Sequence, residues 1–483
     1  MSERKIHFVS LGCVKNRVDT EVMLGVAGRD GWRVVEEPDE AEVIVVNTCG
    51  FIGEAKKESI DTIFELAEYK KIGACQKLVV SGCLSQRYPT ELAAQMPEVD
   101  HFLGSSDMLK LEKVLAGDAD RMLVGNPADW VVRATDPRVV TQSRASAWLK
   151  IAEGCDRSCA FCVIPSLRGK QRSRAADDVV AEAERLVAAG AVELNLVSQD
   201  TVAWGRDLAR AAAKARPDAG VVKERLADLV RRVAEVKGVR WVRVFYLYPE
   251  TLDDALIELL GQHPRVVPYV DMPLQHASDA MLKRMRRGHG KDRQRRVVER
   301  LRTQVPGLTF RTAFIVGHPG ETAQDFQELC DFVTWAQFEH AVVFRYSDEE
   351  TCTAYGMADK VPALTSANRA RKLLALQRGI ARKKNKALIG KEMDVLVEGA
   401  SEEHELVMKG RHAGQAPDID GSVYLSEGEA HAGEMRRVRV VQASDFDLVG
   451  DLIDAGTRPP EAQPPPKRVT LKVLGGASEP RWQ

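Results

Sequence analysis

The chain lacks any long apolar run. No uninterrupted stretch approaches the roughly 20 apolar residues that a membrane-spanning helix needs. Residues 1–12 turn from charged to apolar for only a few positions before Cys13, without the apolar core or cleavage pattern of a secretion signal. The expected location is therefore the cytoplasm, with no membrane partner. A dominant charge is also missing: 69 Lys and Arg face 70 Asp and Glu, a formal net charge of -1. The molecule as a whole thus offers no electrostatic argument for nucleic acid, and local charge must decide. Cysteine is sparse, nine in 483 residues, which in a long cytoplasmic chain argues against a disulfide framework. Those nine read instead as ligands, reactive thiols or small core residues.

What is present is a globular mixture, 44% hydrophobic and 29% charged. A chain of this length exceeds one ordinary core, so two to four domains are expected. Three short β-branched runs (5–12, 42–48 and 77–82) end in polar or glycine turns and alternate with helical candidates, notably 54–71. This predicts a small parallel α/β domain over 1–125. Residues 105–140 are a mixed connection with few landmarks. A second alternation then begins, with strand candidates at 148–154, 192–198, 241–249, 266–273, 309–317 and 340–347. Six β–α repeats predict a partial or complete (β/α) barrel over 140–385, closed by a basic helix at 366–386. Short strands at 393–399, 404–410, 422–427 and 435–443 predict a small β-barrel over 388–452. Residues 456–483, rich in Pro and Gly, are expected to be a flexible tail, although 469–475 could add an edge strand.

Two cysteine sets carry the chemistry. Cys155, Cys159 and Cys162 form a C-x3-C-x2-C loop directly after the first strand of the central domain. Three thiolates in one compact loop supply all but one of the ligands of a fully cysteinyl four-iron cluster, which leaves one iron open to chelation by an amine and a carboxylate. A structural zinc site or a redox thiol cluster is the alternative; zinc would want a fourth ligand, none follows nearby, and His276 and His289 are distant in sequence. Cys13, Cys49 and Cys83 form the second set, each just after one of the three N-terminal strands. Parallel strands place their C-terminal ends on one sheet edge, where residues about 35 positions apart can converge. Any one of them alone would read as a core residue. Cys75, Cys330 and Cys352 follow no such pattern and read as small buried side chains.

At these motifs the sequence resembles the methylthiotransferase family of radical S-adenosylmethionine (SAM) enzymes along nearly its whole length. The N-terminal match runs through Gly12-Cys13, Asn16, Asn47 to Gly50, Ala55, Glu58-Ser59 and Gly82 to Tyr88. The central match includes Ile151 to Cys155, the cysteine triad, Ile164-Pro165, Arg168-Gly169 and Ser173-Arg174. Asp271 to His276, Met285 to Arg287, Gly317 to Thr322, Gly410-Arg411 and Ala416 to Gly421 resemble the branch that modifies an aspartate of ribosomal protein S-twelve. Val14, His318 and Cys352 depart from the family pattern.

The resemblance implies one 4Fe-4S cluster on Cys13, Cys49 and Cys83, and a second, SAM-cleaving 4Fe-4S cluster on Cys155, Cys159 and Cys162. It implies a radical SAM central domain and a C-terminal TRAM domain. It further implies SAM as radical source and methyl donor, 3-methylthioaspartate as product, a reductant such as flavodoxin or ferredoxin, and an unidentified sulfur donor. Gln199, Asp200, Arg311 and Gly317 are the SAM-contact candidates, and Arg168 and Arg174 either reach the SAM carboxylate or face solvent. Residues 391–450 hold 13 Asp or Glu against 6 Lys or Arg, which favours a basic protein partner over phosphate. The rival readings are a tRNA adenosine methylthiotransferase, to which the basic helix would be suited, and a non-catalytic metal-binding protein attached to ribosomes.

Overall fold

The computed structural model describes residues 3–141, 145–215, 224–401, 406–426, 428–454 and 472–474. Three bodies follow one another. The first is a parallel sheet of β1 (Lys5–Leu11), β2 (Arg33–Val34), β3 (Val43–Thr48), β4 (Lys77–Gly82), β5 (His101–Leu103) and β6 (Met122–Leu123) in the order β2-β1-β3-β4-β5-β6. Its central strands are buried but for Lys77 at the start of β4 and read as continuous apolar runs, as strands covered on both faces must. β2, β5 and β6 escaped the sequence reading because two or three residues carry no periodicity. The helix expected over 54–71 forms as Gly53–Ala67 followed by a separate turn, Tyr69–Ile72. Residues 124–141 have no regular structure, yet Trp130, Val132 and Val139 pack onto the first core.

The second body is built on β7 (Ser146–Lys150), followed by a two-stranded antiparallel clamp, β8 (Ala152–Glu153) with β9 (Arg172–Ser173). The parallel sheet continues with β10 (Glu193–Val197), β11 (Trp241–Val244), β12 (Val266–Asp271), β13 (Thr309–Val316) and β14 (His340–Arg345). Strand order follows the sequence from β7 to β14 and the two ends do not meet, so the barrel is partial. The strand expected across 148–154 is split: its first half joins this sheet, while Ala152–Glu153 turns away to grip the cysteine loop. Ala147, Leu149, Leu194, Leu196, Val242 and Val244 face the surrounding helices. Alternate residues such as Trp148, Phe245 and Tyr269 face the lumen. The basic helix, Ala363–Lys386, packs behind β13 and β14.

The third body is a closed five-stranded barrel of β15 (Glu392–Ala400), β16 (Met408–His412), β17 (Val423–Leu425), β18 (Met435–Ala443) and β19 (Leu448–Leu452). It blocks the end of the lumen where the central strands begin. There Leu396, Ala413, Ala416 and Ile419 meet Trp148, Trp241 and Tyr269. Of the segment expected to be a tail, only β20 (Lys472–Leu474) lies among the described residues, and it pairs parallel to β1 as an edge strand. No helix among the described residues is long and apolar enough to cross a membrane.

Candidate functional site

The C-terminal ends of the first sheet face the C-terminal ends of the second. Cys13 follows β1 and precedes the helix Val14–Arg29, Cys49 follows β3, and Cys83 opens the helix Cys83–Arg87 after β4. β1, β3 and β4 are neighbours, paired at Ser10 with Asn47 and at Asn47 with Ser81. Adjacent strands lie about 4.8 Å apart, so the three turns fall on one short stretch of edge. The turns touch. A Cβ placed on Gly12, whose φ is +90°, would sit 2.8 Å from Cys49 Cβ and 3.2 Å from its Sγ, so only glycine permits that approach. Asn16 Nδ2 donates to Leu11 O and Thr48 O, both at 2.9 Å, and Ser59 Oγ bonds the Cys49 backbone. Burial, followed by the neighbouring Cys83 and Cys13 thiols, pushes the Cys49 thiol up. Burial pushes Cys83 up too, against the pull of Arg168.

The second set sits on the loop between β8 and β9, whose neck is closed by Cys155 N–H to Gly169 O at 3.1 Å. Each thiol there has a donor: Arg157 N–H to Cys155 Sγ at 3.4 Å, Arg287 Nη1 to Cys159 Sγ at 3.4 Å, and Ile164 N–H to Cys162 Sγ at 3.5 Å. Burial foremost pushes Cys155 up to about 11 and raises Cys162 as well. Thiols held this high stay protonated, so binding iron must displace their protons. Among the described residues no three His, Cys, Asp or Glu side chains close on a single metal ion. A multi-iron cluster makes a different demand, because its cysteines bind separate irons around its perimeter.

A buried ion network joins the two sets. Arg168 Nε donates to Cys83 Sγ at 3.3 Å, and its Nη1 lies 2.6 Å from Asp19 and 3.4 Å from Glu153. Lys150 pairs with Asp19 at 2.5 Å and Glu153 at 2.7 Å. Burial acts to raise Glu153, but Lys150 and Arg168 prevail and hold its carboxyl down at about 2. Arg168 and Arg174 therefore do not face solvent: both are buried, and Arg174 pairs with Asp178 and Glu182.

Of the SAM candidates, Gln199 and Asp200 stand beside the cysteine loop. Gln199 Nε2 bonds Glu153, and Asp200 Oδ2 takes Arg157 Nε at 2.6 Å. Gln199 Oε1, Asp200 Oδ1, Glu250 Oε1, Arg157 Nη2 and Arg287 Nε are all buried without a hydrogen-bond partner among the described residues. Orphaned polar atoms carry a real cost, and so dense a group is what a polar ligand would satisfy. The amine, carboxylate and ribose of SAM fit that donor and acceptor set. Arg311 and Gly317 have protein partners of their own. Arg311 lies in register with Asp271, 3.0 Å from its carboxylate and 3.5 Å from Asp420 of the small barrel. Gly317 has φ +78°, and an added Cβ would lie 2.3 Å from Ser366 Oγ, so its bareness admits the helix Ala363–Lys386.

The zinc alternative loses its histidines. His276 is buried between Glu321 and the Ser278 N–H, and His289 bonds Gln294, its pKa lowered to about 3 by burial and then by Arg287. Of the departures from the family pattern, His318 packs edge-on against Tyr346 with centroids 5.1 Å apart, filling an aromatic's place. Cys352 is buried with Cys83, Val163 and Leu167 between the two sets. Sequence reasoning missed Arg157, Tyr248, Glu250 and Arg287, where Tyr248 stacks on both arginines at 3.4 and 4.0 Å. It also missed Asp19, Lys150 and Glu153, although a lysine inside an apolar strand was a visible signal.

Comparison with known proteins agrees with this layout. Residues 5–104 match the uncharacterized protein family UPF0004, 149–333 the radical SAM superfamily and 389–453 the TRAM domain. The ribosomal protein uS12 methylthiotransferase RimO of Sorangium cellulosum is 64% identical over 493 residues, covering 100% of both chains. That of Myxococcus xanthus is 48% identical over 93% of this chain and 92% of its own. The radical SAM methyltransferase TsrM of Kitasatospora setae overlays with a TM-score of 0.48 at 16% identity, over 71% of this chain and 75% of that one, too loosely to add to the argument. On full-length identity, and with every motif cysteine in place, the chain belongs to the RimO family of radical SAM methylthiotransferases.

Proposed function

We propose that the protein installs a methylthio group on the β carbon of an aspartate in ribosomal protein S-twelve, in the cytoplasm, with SAM as both radical source and methyl donor. The observation that carries this reading is the facing of two three-cysteine sets across one buried network, Cys83–Arg168–Glu153–Gln199, which ends at the orphaned polar atoms beside Cys155. Cys155, Cys159 and Cys162 would hold one 4Fe-4S cluster, and Cys13, Cys49 and Cys83 a second. When bound, these clusters supply the electron that cleaves SAM and the place where sulfur is presented.

An unactivated aspartate C–H bond has neither an acidic proton nor a leaving group, so acid–base residues alone could not replace it with C–S. The protein's part is to orient and to exclude water. Asp200, Glu250 and Gln199 have free acceptors for the SAM amine and ribose hydroxyls, and Arg157 and Arg287 have free N–H groups for its carboxylate. Cys49, Cys83 and Cys155 are buried, whereas Cys13 is exposed and Cys159 and Cys162 are partly exposed. The electron donor is read as a flavodoxin or ferredoxin, and the sulfur comes from an unidentified donor.

The test is anaerobic reconstitution with SAM, reductant, a sulfur source and purified S-twelve, read by intact and peptide mass. One methylthio group on one aspartate is the expected result. Modified tRNA with unmodified S-twelve would instead favour the tRNA reading, for which the exposed Arg371, Lys372, Lys383 and Lys386 of the basic helix are the relevant surface. Filled clusters with SAM left intact would overturn the catalytic assignment.

A further inference from the structure

Lys15 is the second residue of the helix that follows Cys13, and it is 7% exposed. Its ammonium lies 3.6 Å from the centroid of the Tyr246 ring. Among the described residues it forms no ion pair. The two nearby acids are committed to other cations, Asp19 to Lys150 and Arg168, and Glu153 to the same two. A ring face offsets part of the cost of desolvating an ammonium but carries no formal charge. Buried charges are ordinarily paired; this one bonds the Tyr246 side chain and feels Glu153 only at longer range, with no carboxylate at ion-pair distance among the described residues.

Its surroundings say where the missing anion belongs. Tyr246 follows β11 at the ligand-facing end of the central sheet, two residues before Tyr248, which stacks on Arg157 of the cysteine loop. Tyr246 has φ +56°, rare for a non-glycine residue, and its N–H is held by Asp271 at 3.2 Å. Such strain persists only where the surroundings over-determine it, and it gathers at functional sites. Lys15 therefore spans from the Cys13 turn to the mouth of the central sheet, between the two cysteine sets, where the substrate carbon must stand.

We infer that Lys15 binds the side-chain carboxylate of the substrate aspartate. This rests on the proposed function and adds to it the group that selects the substrate. The carboxylate is bonded directly to the β carbon, so a fixed ammonium places the C–H bond one atom away from the contact. A neutral amide in the same position would leave the buried cation without an anion, which gives discrimination against asparagine.

The rival role is charge balance for thiolate at Cys13, and the experiment separates the two. Reconstituted holoenzyme, wild type and Lys15→Met and Lys15→Arg, is titrated with fluorescently labelled S-twelve and with S-twelve carrying asparagine at the target position. Dissociation constants, KM and kcat, iron content and cluster reduction potential are measured. The wild type should bind the aspartate form at least about tenfold tighter than the asparagine form. Lys15→Met should weaken the aspartate form by about 10- to 100-fold, leave the asparagine form unchanged and keep the wild-type iron content, while Lys15→Arg recovers part of the difference. Discrimination that survives in Lys15→Met, with lost iron or a shifted potential, would overturn the inference in favour of charge balance. Equal weakening of both forms would also overturn it. A wild type that binds S-twelve and cleaves SAM but modifies no aspartate would sink the proposed function itself, a result told apart by mass.

Discussion

The two ends of the central sheet are both crossed by buried ion networks, and they are finished differently. At the end where the strands begin, Glu193 receives Arg243 at 3.1 Å, Arg411 at 2.5 Å and the Ser146 hydroxyl at 2.9 Å. Arg411 also pairs with Glu398 at 2.7 Å, and Tyr269 donates to Asp420 at 2.6 Å. Each of these charges meets its opposite, and the small barrel is thereby locked into the lumen. At the other end, where the strands stop, Lys150, Arg168, Asp19 and Glu153 balance one another, but among the described residues Lys15 has no acid at ion-pair distance. Gln199, Asp200, Glu250, Arg157 and Arg287 each keep an unsatisfied polar atom. A network built to hold domains together can be completed within the protein. One built to receive ligands has to be left open, at a cost in stability.

Four experiments sharpen or break that contrast. The largest effect belongs to the open end: Cys155→Ala should abolish SAM cleavage, whereas Cys49→Ala should spare cleavage of SAM and abolish methylthio transfer. Measuring 5′-deoxyadenosine and S-twelve mass side by side reads both, and equal loss in the two variants would erase the assigned division of labour. At the closed end, Glu193→Gln should cost about 3–5 kcal/mol, because it strands Arg243 and Arg411 without their shared anion. Denaturant unfolding checks this, and a loss below about 1 kcal/mol would show that the lower network is not the lock.

Gly317→Ala should cost about 1–3 kcal/mol through strain at positive φ and collision with Ser366, and the double variant with Ser366→Gly should regain part of it. A variant that instead kept full stability and lost SAM affinity would return Gly317 to the cofactor. The smallest effect is a pH slope. Burial foremost lowers His318 from 6.5 to about 4, so the unfolded chain takes up this proton first on acidification. The resulting stability is complete above pH 6.5 and is lost progressively as pH falls to about 4. His318→Phe should flatten the decline of Tm across that window, and an unchanged slope would mean that the ring is already protonated in the fold.

Much of this was legible in the residues. Runs such as 42–48 and 77–82 announce buried parallel strands because both faces are covered, and a cysteine directly after each run marks the sheet edge where ligands bind. The C-x3-C-x2-C loop is local, so its meaning survives without tertiary context. Strands of two or three residues were invisible, since periodicity needs length. The protein partners of Arg311 and Gly317 were invisible for a related reason. An arginine on a strand and a glycine at its end look alike whether they meet a cofactor, an aspartate of another domain or a packed helix.

By itself, the amino-acid sequence determined the three-part architecture, the two cysteine sets and the family, because each depends on patterns within a few dozen residues. Only the tertiary structure decided that Arg168 reaches back to Cys83, that Glu193 locks the small barrel, and that Lys15 is buried against Tyr246. These pairs lie 85, 218 and 231 positions apart. Whether a charge is paired or left waiting depends on which distant side chain the fold brings to it, and no local pattern carries that information.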